Sequence, residues 1–246
     1  MKKISVITIN YNNVSGLKQT MDSVLGQTYN DIEYIVVDGG SNDGSKELIE
    51  QRGSALSYWV SEKDEGIYDA MNKGISKTTG EYLLFINSGD RIYEKTTIEN
   101  VIPFLKGTEI VYGNLKIEEN GQLKDGYMPD AITLSQMMND TLWHPVSFIK
   151  RELFLKYGNY NTQYKICGDY DFFFKTIISE KVTTKHINQF IAVFDLKGMS
   201  SDAKNVPIIK AEKEMIQRSY LSAKEIEDFN ASQKKSKSSF FKRWFQ

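Results

Sequence analysis

A single cysteine, Cys167, in 246 residues excludes a disulfide framework and any cysteine-rich zinc module. Histidine is almost as scarce. His144 and His186 are the two present, far apart in sequence, so a histidine-ligated metal site is not expected. Any metal would be a hard cation on carboxylate oxygens. Net charge is lacking too: 31 Lys and Arg against 32 Asp and Glu give a formal charge of −1, without the overall basic character of a nucleic-acid binder. No stretch approaches the roughly 18 apolar residues that a membrane span needs. The opening run, Met-Lys-Lys-Ile-Ser-Val-Ile-Thr-Ile, is broken by Ser5 and Thr8 and followed by no small-residue cleavage site. It reads as a buried strand rather than a signal peptide, and the protein is expected in the cytosol or on the cytosolic face of a membrane.

What is present is a globular composition, 40% hydrophobic and 26% charged, which is too apolar for a disordered chain. At roughly 100–200 residues per domain, the length allows one large α/β domain or two small ones. Apolar β runs at Ile4–Ile9, Ile32–Val37, Leu56–Val60 and Tyr82–Ile86 alternate with helical periodicity over Val14–Gln27, Lys46–Gln51 and Gly66–Lys77. Near-continuously apolar strands separated by helices predict a parallel sheet covered on both faces. In such sheets ligands bind beyond the carboxyl ends of the strands. The unusual polar residues fall at those ends: Asn10 and Tyr11, Asp38, Asp64, and Asp90.

The second half is less regular. Ile110–Ile117 and Leu123–Met128 flank an Asn-Gly turn and predict a hairpin. Pro145–Ile149 and Phe190–Phe194 read as strands, and Arg151–Tyr157, Gly168–Ser179 and Val206–Leu221 as helices. The expected division is a domain over residues 1–205, then a C-terminal helix and a basic aromatic tail over 206–246. Within that tail, residues 233–246 hold Lys234, Lys235, Lys237, Lys242 and Arg243, no acid, and Phe240, Phe241, Trp244 and Phe245. This is either a solvated terminus or a peripheral anchor for anionic lipid, and the anchor is favoured.

Asp38-Gly-Gly-Ser-Asn-Asp-Gly-Ser45 follows a strand and opens a helix. It is a capped βα turn, a ligand loop, or both; Asp38 stands where a carboxylate has little structural reason to be. With no Gly-x-Gly-x-x-Gly and no Gly-x-x-x-x-Gly-Lys-Ser/Thr, neither a dinucleotide fold nor a P-loop is indicated. Asn87-Ser-Gly-Asp90 is either a β-turn or a place for Asp90 to hold a divalent cation against a diphosphate. Gly168-Asp-Tyr-Asp171 opens an apolar helix; two acids two residues apart do not share a face and should have separate roles. An acid in the first helical turn stays ionised at neutral pH, as a general base must.

Together Val6–Asn12, Asp38–Ser45, Ser61–Gly74, Asn87–Asp90 and Gly168–Asp171 resemble family 2 glycosyltransferases. The resemblance spans about residues 1–200 and leans to the bacterial branch that builds capsular, exopolysaccharide and O-antigen units. It implies the GT-A fold of nucleotide-diphospho-sugar transferases, with a mostly parallel central sheet flanked by helices. It also implies inverting transfer from a nucleotide-diphosphate sugar, with UDP favoured, to a glycan or lipid-linked saccharide. By position, Thr8, Asn10, Tyr11, Ser88 and Gly89 would line the donor nucleotide site, with Asp38 reading the base and Asp64 beside base or ribose. Asp90 would hold Mn²⁺ or Mg²⁺, and Asp169 would be the general base. His144, in Trp143-His-Pro-Val-Ser147, and Asp171 would lie on the acceptor side, and Gly198 and Ser200 in a loop closing over the diphosphate. Two departures stand out: a single acid in Asn87–Asp90, and Gly168 where the family has glutamate. They leave a silent nucleotide-sugar-binding partner of a larger synthase as the alternative, with a sugar-nucleotide nucleotidyltransferase behind it.

Overall fold

The computed structural model describes residues 3–119 and 121–244, with side chains described up to residue 233. The elements, in chain order, are β1 (Ile4–Asn10), α1 (Val14–Leu25), β2 (Ile32–Asp38), α2 (Ser45–Arg52), β3 (Tyr58–Ser61) and α3 (Ile67–Ser76). Then come β4 (Tyr82–Phe85), β5 (Arg91–Ile92), α4 (Thr97–Val101), β6 (Ile110–Glu119), β7 (Gln122–Gly126) and α5 (Leu134–Asn139). The chain continues through β8 (Ser147–Lys150), α6 (Arg151–Tyr157), α7 (Gly168–Phe173), β9 (Thr184–Asp195), α8 (Val206–Tyr220) and α9 (Ala223–Trp244). No helix among the described residues is long and apolar enough to cross a membrane. Asn120 of the expected hairpin turn, and the tail side chains from Lys234 onward, lie outside what is described.

One sheet runs β3-β2-β1-β4-β8-β6-β9-β5, with β7 paired on β6. β1 pairs in parallel with β2 and β4, and β2 with β3. β8 is antiparallel to both β4 and β6, and β9 is parallel to β6. Two reversals restore direction, so β1 to β4, β6 and β9 all point one way. Their carboxyl ends therefore share one edge of the sheet, as a layered α/β fold requires of its ligand edge.

The core is built from these strands: Ile4, Val6, Ile7, Ile35, Val36, Leu83, Leu84 and Phe85 are fully buried. α1 lays Leu17, Met21 and Val24 on the sheet and starts at Asn13, whose side chain accepts from the Gly16 N–H. α8 joins the same core through fully buried Ile216. The expected helix at Gly168–Ser179 is α-helical only to Phe173; Phe174–Ser179 winds as a π-helix, with the Thr176 hydroxyl bonded back to Phe172 O. β9 begins six residues before the apolar run at Phe190. Its first half alternates in exposure, so the strand there lacks an apolar signature.

At the opposite end of the sheet, Glu33 is 5% exposed and holds the start of the fold. Its carboxylate accepts from the Ser5 hydroxyl, the Thr79 N–H and hydroxyl, and the Gly80 N–H, with Lys3 at 3.2 Å. Burial pushes this carboxyl up, but the bonds outweigh it and bring it down to about 2. Its stabilisation is complete above the ordinary carboxylate range and is lost as pH falls toward 2. Glu33→Gln should cost on the order of 1–3 kcal/mol in urea unfolding at neutral pH. The gap to wild type should narrow as pH is lowered to about 3; a constant gap would show that Glu33 does not titrate with folding.

Candidate active site

The shared strand edge carries a cleft of about 1480 Å³. Ligand pockets for single small molecules run to about 1,000 Å³, so there is room for a donor and part of an acceptor. Its walls come from the exits of β1 (Asn10–Asn13), β2 (Gly39, Gly40), the loop after β3 (Lys63–Gly66), Asn87 and Ser88 after β4, and Glu118 of β6. The loop before α7 (Thr162, Tyr164, Lys165) and the exit of β9 (Asp195, Lys197–Met199) complete it.

On one side lies a polar cluster at β1–β3. Asp38 is fully buried. Its carboxylate accepts four internal bonds, from Asn10 Nδ2, the Ser41 N–H and hydroxyl, and the Ser61 hydroxyl. Burial raises its carboxyl, and these donors more than reverse the effect, so it is held below its ordinary value. With its oxygens so occupied, Asp38 shapes the loop, and Asp64 is the carboxylate that lines the cleft here. Asp64 Oδ1 accepts from the Gly66 N–H at the start of α3. Its carboxyl is raised, mainly by burial, with the charges of Asp69 and Asp38 adding to it. Gly39 makes the approach possible, since a Cβ there would fall 2.4 Å from Asp64 Oδ2. Tyr11, 67% exposed, stands at the rim as a stacking surface. Thr8 is not at the cleft: it is fully buried, within hydrogen-bond distance of Ile86 O and Tyr34 Oη.

Next to this, Ser88 lines the cleft, and Gly89 donates its N–H to the Thr20 hydroxyl at a backbone φ of +106°. Asp90 is 5% exposed, and its Oδ1 accepts the Asp195 N–H at 3.0 Å. Burial pushes the Asp90 carboxyl up to about 7, and the neighbouring Asp195 carboxylate adds to the rise. Asp195, at the carboxyl end of β9 opposite Glu118, supplies the second acid that Asn87–Asp90 lacks. The sequence did not reveal it, because only the β6–β9 pairing brings residue 195 to this edge. Among the described residues no group of three or more His, Cys, Asp or Glu side chains converges as a metal site. Asp90 does accept the Asp195 N–H and carries the influence of the Asp195 charge, and these two hard oxygen donors are compatible with a divalent cation that takes its other ligands from diphosphate and water.

Behind Tyr68, which lines the cleft, Asp169 opens α7 and is 15% exposed. Its Oδ1 accepts from the Tyr170 N–H (2.9 Å) and Tyr68 Oη (3.0 Å), and its Oδ2 lies 2.9 Å from His144 Nδ1. Burial raises the carboxyl, but the bond to His144 and its charge, with Tyr68, outweigh this and leave it below its ordinary value. His144 Nε2 lies 3.2 Å from Asn87 Nδ2, so the ring bridges Asp169 to the β4 exit. Asn87 Oδ1 is buried with no hydrogen-bond partner. Gly168 also finds its reason, because a Cβ there would meet the Tyr68 ring at 2.7 Å. The glutamate expected by resemblance has no room at 168; the ring of Tyr68 takes its place.

The two acids of the motif do part company. Asp171 accepts from Tyr220 Oη of α8 at 3.0 Å and is raised by burial. Gly198 lines the cleft, whereas Ser200 is an exposed residue of the short turn Met199–Ser201. Tyr68 and Asn87 lie within the motifs Ser61–Gly74 and Asn87–Asp90 but carry no expected role there, since their contacts to Asp169 and His144 are with residues 101 and 57 positions away along the chain.

A mostly parallel central sheet flanked by helices, with a polar cleft at the carboxyl edge of its strands, is the architecture of nucleotide-sugar transferases of the GT-A type. The profile of glycosyl transferase family 2 matches residues 5–178, and the chain belongs to that family. An uncharacterized glycosyltransferase of Mycobacterium tuberculosis is 31% identical over 205 residues, covering 80% of this chain and 77% of that protein. A PGL/p-HBAD biosynthesis glycosyltransferase of Mycobacterium bovis is 28% identical, covering 84% and 82%. Among solved structures, residues 1–349 of S. aureus TarS in complex with UDP-GlcNAc superpose with a TM-score of 0.69 at 17% identity, over 89% of this chain and 71% of that one. This chain spans 36% of a longer TarS chain. A Pyrobaculum calidifontis mannosyltransferase in complex with GDP-Man and Mn²⁺ superposes at 0.62 and 16% identity, over 81% and 59%.

Proposed function

We propose that this glycosyltransferase takes a UDP-sugar and transfers the sugar with inversion to a hydroxyl of a glycan or lipid-linked saccharide, in bacterial surface polysaccharide assembly. The observation that carries this reading is Asp169: a carboxylate nearly enclosed, yet kept ionised by His144, Tyr68 and a backbone N–H. Asp169 takes the proton of the acceptor hydroxyl as its oxygen attacks the anomeric carbon. The bond from that carbon to the diphosphate oxygen breaks, and the leaving diphosphate keeps the electron pair. A single carboxylate base with no nucleophile opposite fits direct displacement, by analogy with inverting glycosidases. His144 orients the base. Asp90 and Asp195 are the residues that would hold Mn²⁺ or Mg²⁺, which when bound neutralises charge on the leaving diphosphate. Tyr11 and Asp64 take the nucleoside, while Asp38 and Asn10 act by fixing the loop beneath it. Asp195, an acid whose charge acts on Asp90, supports this reading over a silent nucleotide-sugar-binding partner.

Two structural neighbours support this reading: UDP-GlcNAc is bound by one, and GDP-Man with Mn²⁺ by another. The basic, aromatic sequence of residues 233–246 supports a position at an anionic membrane surface, near a lipid-linked acceptor. Calorimetric titration with UDP and GDP, each with and without Mn²⁺, tests the donor site. UDP is expected to bind, and at least tenfold more tightly with Mn²⁺. Binding of GDP alone would reassign the base, and binding of neither would leave a fold without this activity. Vesicle co-sedimentation of the chain with and without residues 233–246 tests the membrane arm, and unchanged sedimentation would end it.

A further inference from the structure

Helix α8 lies beyond the residues that the family profile matches, yet it grips the segment carrying the base. Glu212, in its middle, is 9% exposed. Its Oε1 accepts from the Lys165 N–H at 2.7 Å, and its Oε2 from the N–H groups of Ile166 (3.1 Å) and Cys167 (2.9 Å). Three successive backbone donors thus converge on one buried carboxylate. Their residues join the cleft wall to the catalytic helix. Lys165 lines the cleft beside Tyr164, and Cys167 immediately precedes α7, two residues before Asp169. The same segment is tied from the other side, where Ile166 O accepts from Tyr68 Oη, the hydroxyl that also reaches Asp169.

We propose that Glu212 is a positioning residue for the acceptor side of the cleft: it fixes residues 165–167 so that Tyr164 and Lys165 form the acceptor wall and Asp169 faces it. This rests on the glycosyl-transfer reading above. The chemistry at 212 calls for a carboxylate. These amides belong to an irregular segment, and left unpaired the buried N–H groups of Ile166 and Cys167 would carry their full desolvation cost. Two oxygens on one side chain meet all three. An amide of the same shape does not, because its NH₂ would face either Lys165 N–H or the Ile166 and Cys167 pair, donor against donor. The nucleoside-side residues Tyr11 and Asp64 lie on other segments, so the effect is confined to the acceptor half.

The test uses the full chain carrying Glu212→Gln, beside Ile216→Ala, which loosens the same helix without touching the three amides. UDP affinity of Glu212→Gln should stay within about twofold of wild type. Its kcat for UDP release from a panel of UDP-hexoses, with water as acceptor, should fall about 10- to 100-fold with donor KM unchanged, the scale of loss for a small misplacement of a reacting group. The Cys167 thiol, 3% exposed, should react faster with a disulfide reagent. Ile216→Ala should lower Tm while holding kcat within about threefold. The proposal is overturned if Glu212→Gln keeps both kcat and a protected thiol, if it loses UDP affinity in step with kcat, or if Ile216→Ala reproduces both changes. A wild-type protein that turns over no UDP-hexose sinks the glycosyl-transfer reading instead. Thiol protection and amide exchange at residues 165–167, unchanged by Glu212→Gln, would then sink the anchoring role as well.

Discussion

Asp169→Asn should abolish sugar transfer, lowering kcat about a thousandfold or more, while UDP binds as in wild type and the fold persists. General-base contributions of about 10²–10⁴ set that scale. The substitution keeps an oxygen to accept from Tyr170 N–H and Tyr68 Oη; the amide NH₂ takes the place of the oxygen beside His144 Nδ1, so the carboxylate that receives the proton is lost together with its bond to His144. The pH profile carries the same chemistry. The base must be ionised, and its carboxyl sits below the ordinary value, so the acid limb of kcat/KM should lie below that of a free aspartate. Removing His144 takes away a hydrogen bond and the chief opposition to burial. His144→Ala should therefore move the acid limb to higher pH as well as lower the rate. An acid limb that stays in place would show that His144 does not set the ionisation of Asp169. Full turnover in Asp169→Asn would remove this carboxylate from the mechanism.

The second large effect is expected at the other wall. Chelation by EDTA should erase the tightening of UDP by Mn²⁺ and lower turnover by about a hundredfold or more, on the scale of several kcal/mol for charge stabilisation. Asp90→Asn should do the same without unfolding, because the amide oxygen can still accept the Asp195 N–H. Asp195→Asn should weaken the Mn²⁺ effect less, since Asp195 is the more exposed of the two. UDP affinity and turnover that ignore both EDTA and Asp90→Asn would exclude a cation from this site.

How far the sequence carried is instructive residue by residue. The four apolar runs were legible because β1, β2 and β4 are buried on both sides while the edge strand β3 is half-buried by large apolar side chains, and their polar exits marked the ligand edge. β9 was legible only in part, since its first half alternates between exposed and buried positions. The two-residue β5 and the short α4 and α5 are too brief to show a period. Of the residues picked out, Asn10, Tyr11, Asp64, Ser88 and Gly198 line the cleft, whereas Asp90, His144 and Asp169 stand behind it, bonded to the lining residues Asp195, Asn87 and Tyr68. Asp38 has a different place from the one expected, because an acid at a strand exit can face the loop as readily as the ligand. Asp195, Tyr68 and Glu212 were invisible for one reason: each matters through a partner distant in sequence, which pattern and spacing do not encode.

The tight approach of Gly39 to Asp64 has a consequence for reading related chains. A side chain on residue 39 and the carboxylate of residue 64 would compete for the same space, since a Cβ at 39 would lie 2.4 Å from Asp64 Oδ2. Either chain segment can deliver an acid to that spot, but the two cannot deliver it together. Acidic residues at the two positions are therefore mutually exclusive alternatives. A relative with aspartate at 39 and a small residue at 64 has exchanged the segment that delivers the acid, and should be counted as keeping a carboxylate at that spot rather than losing it.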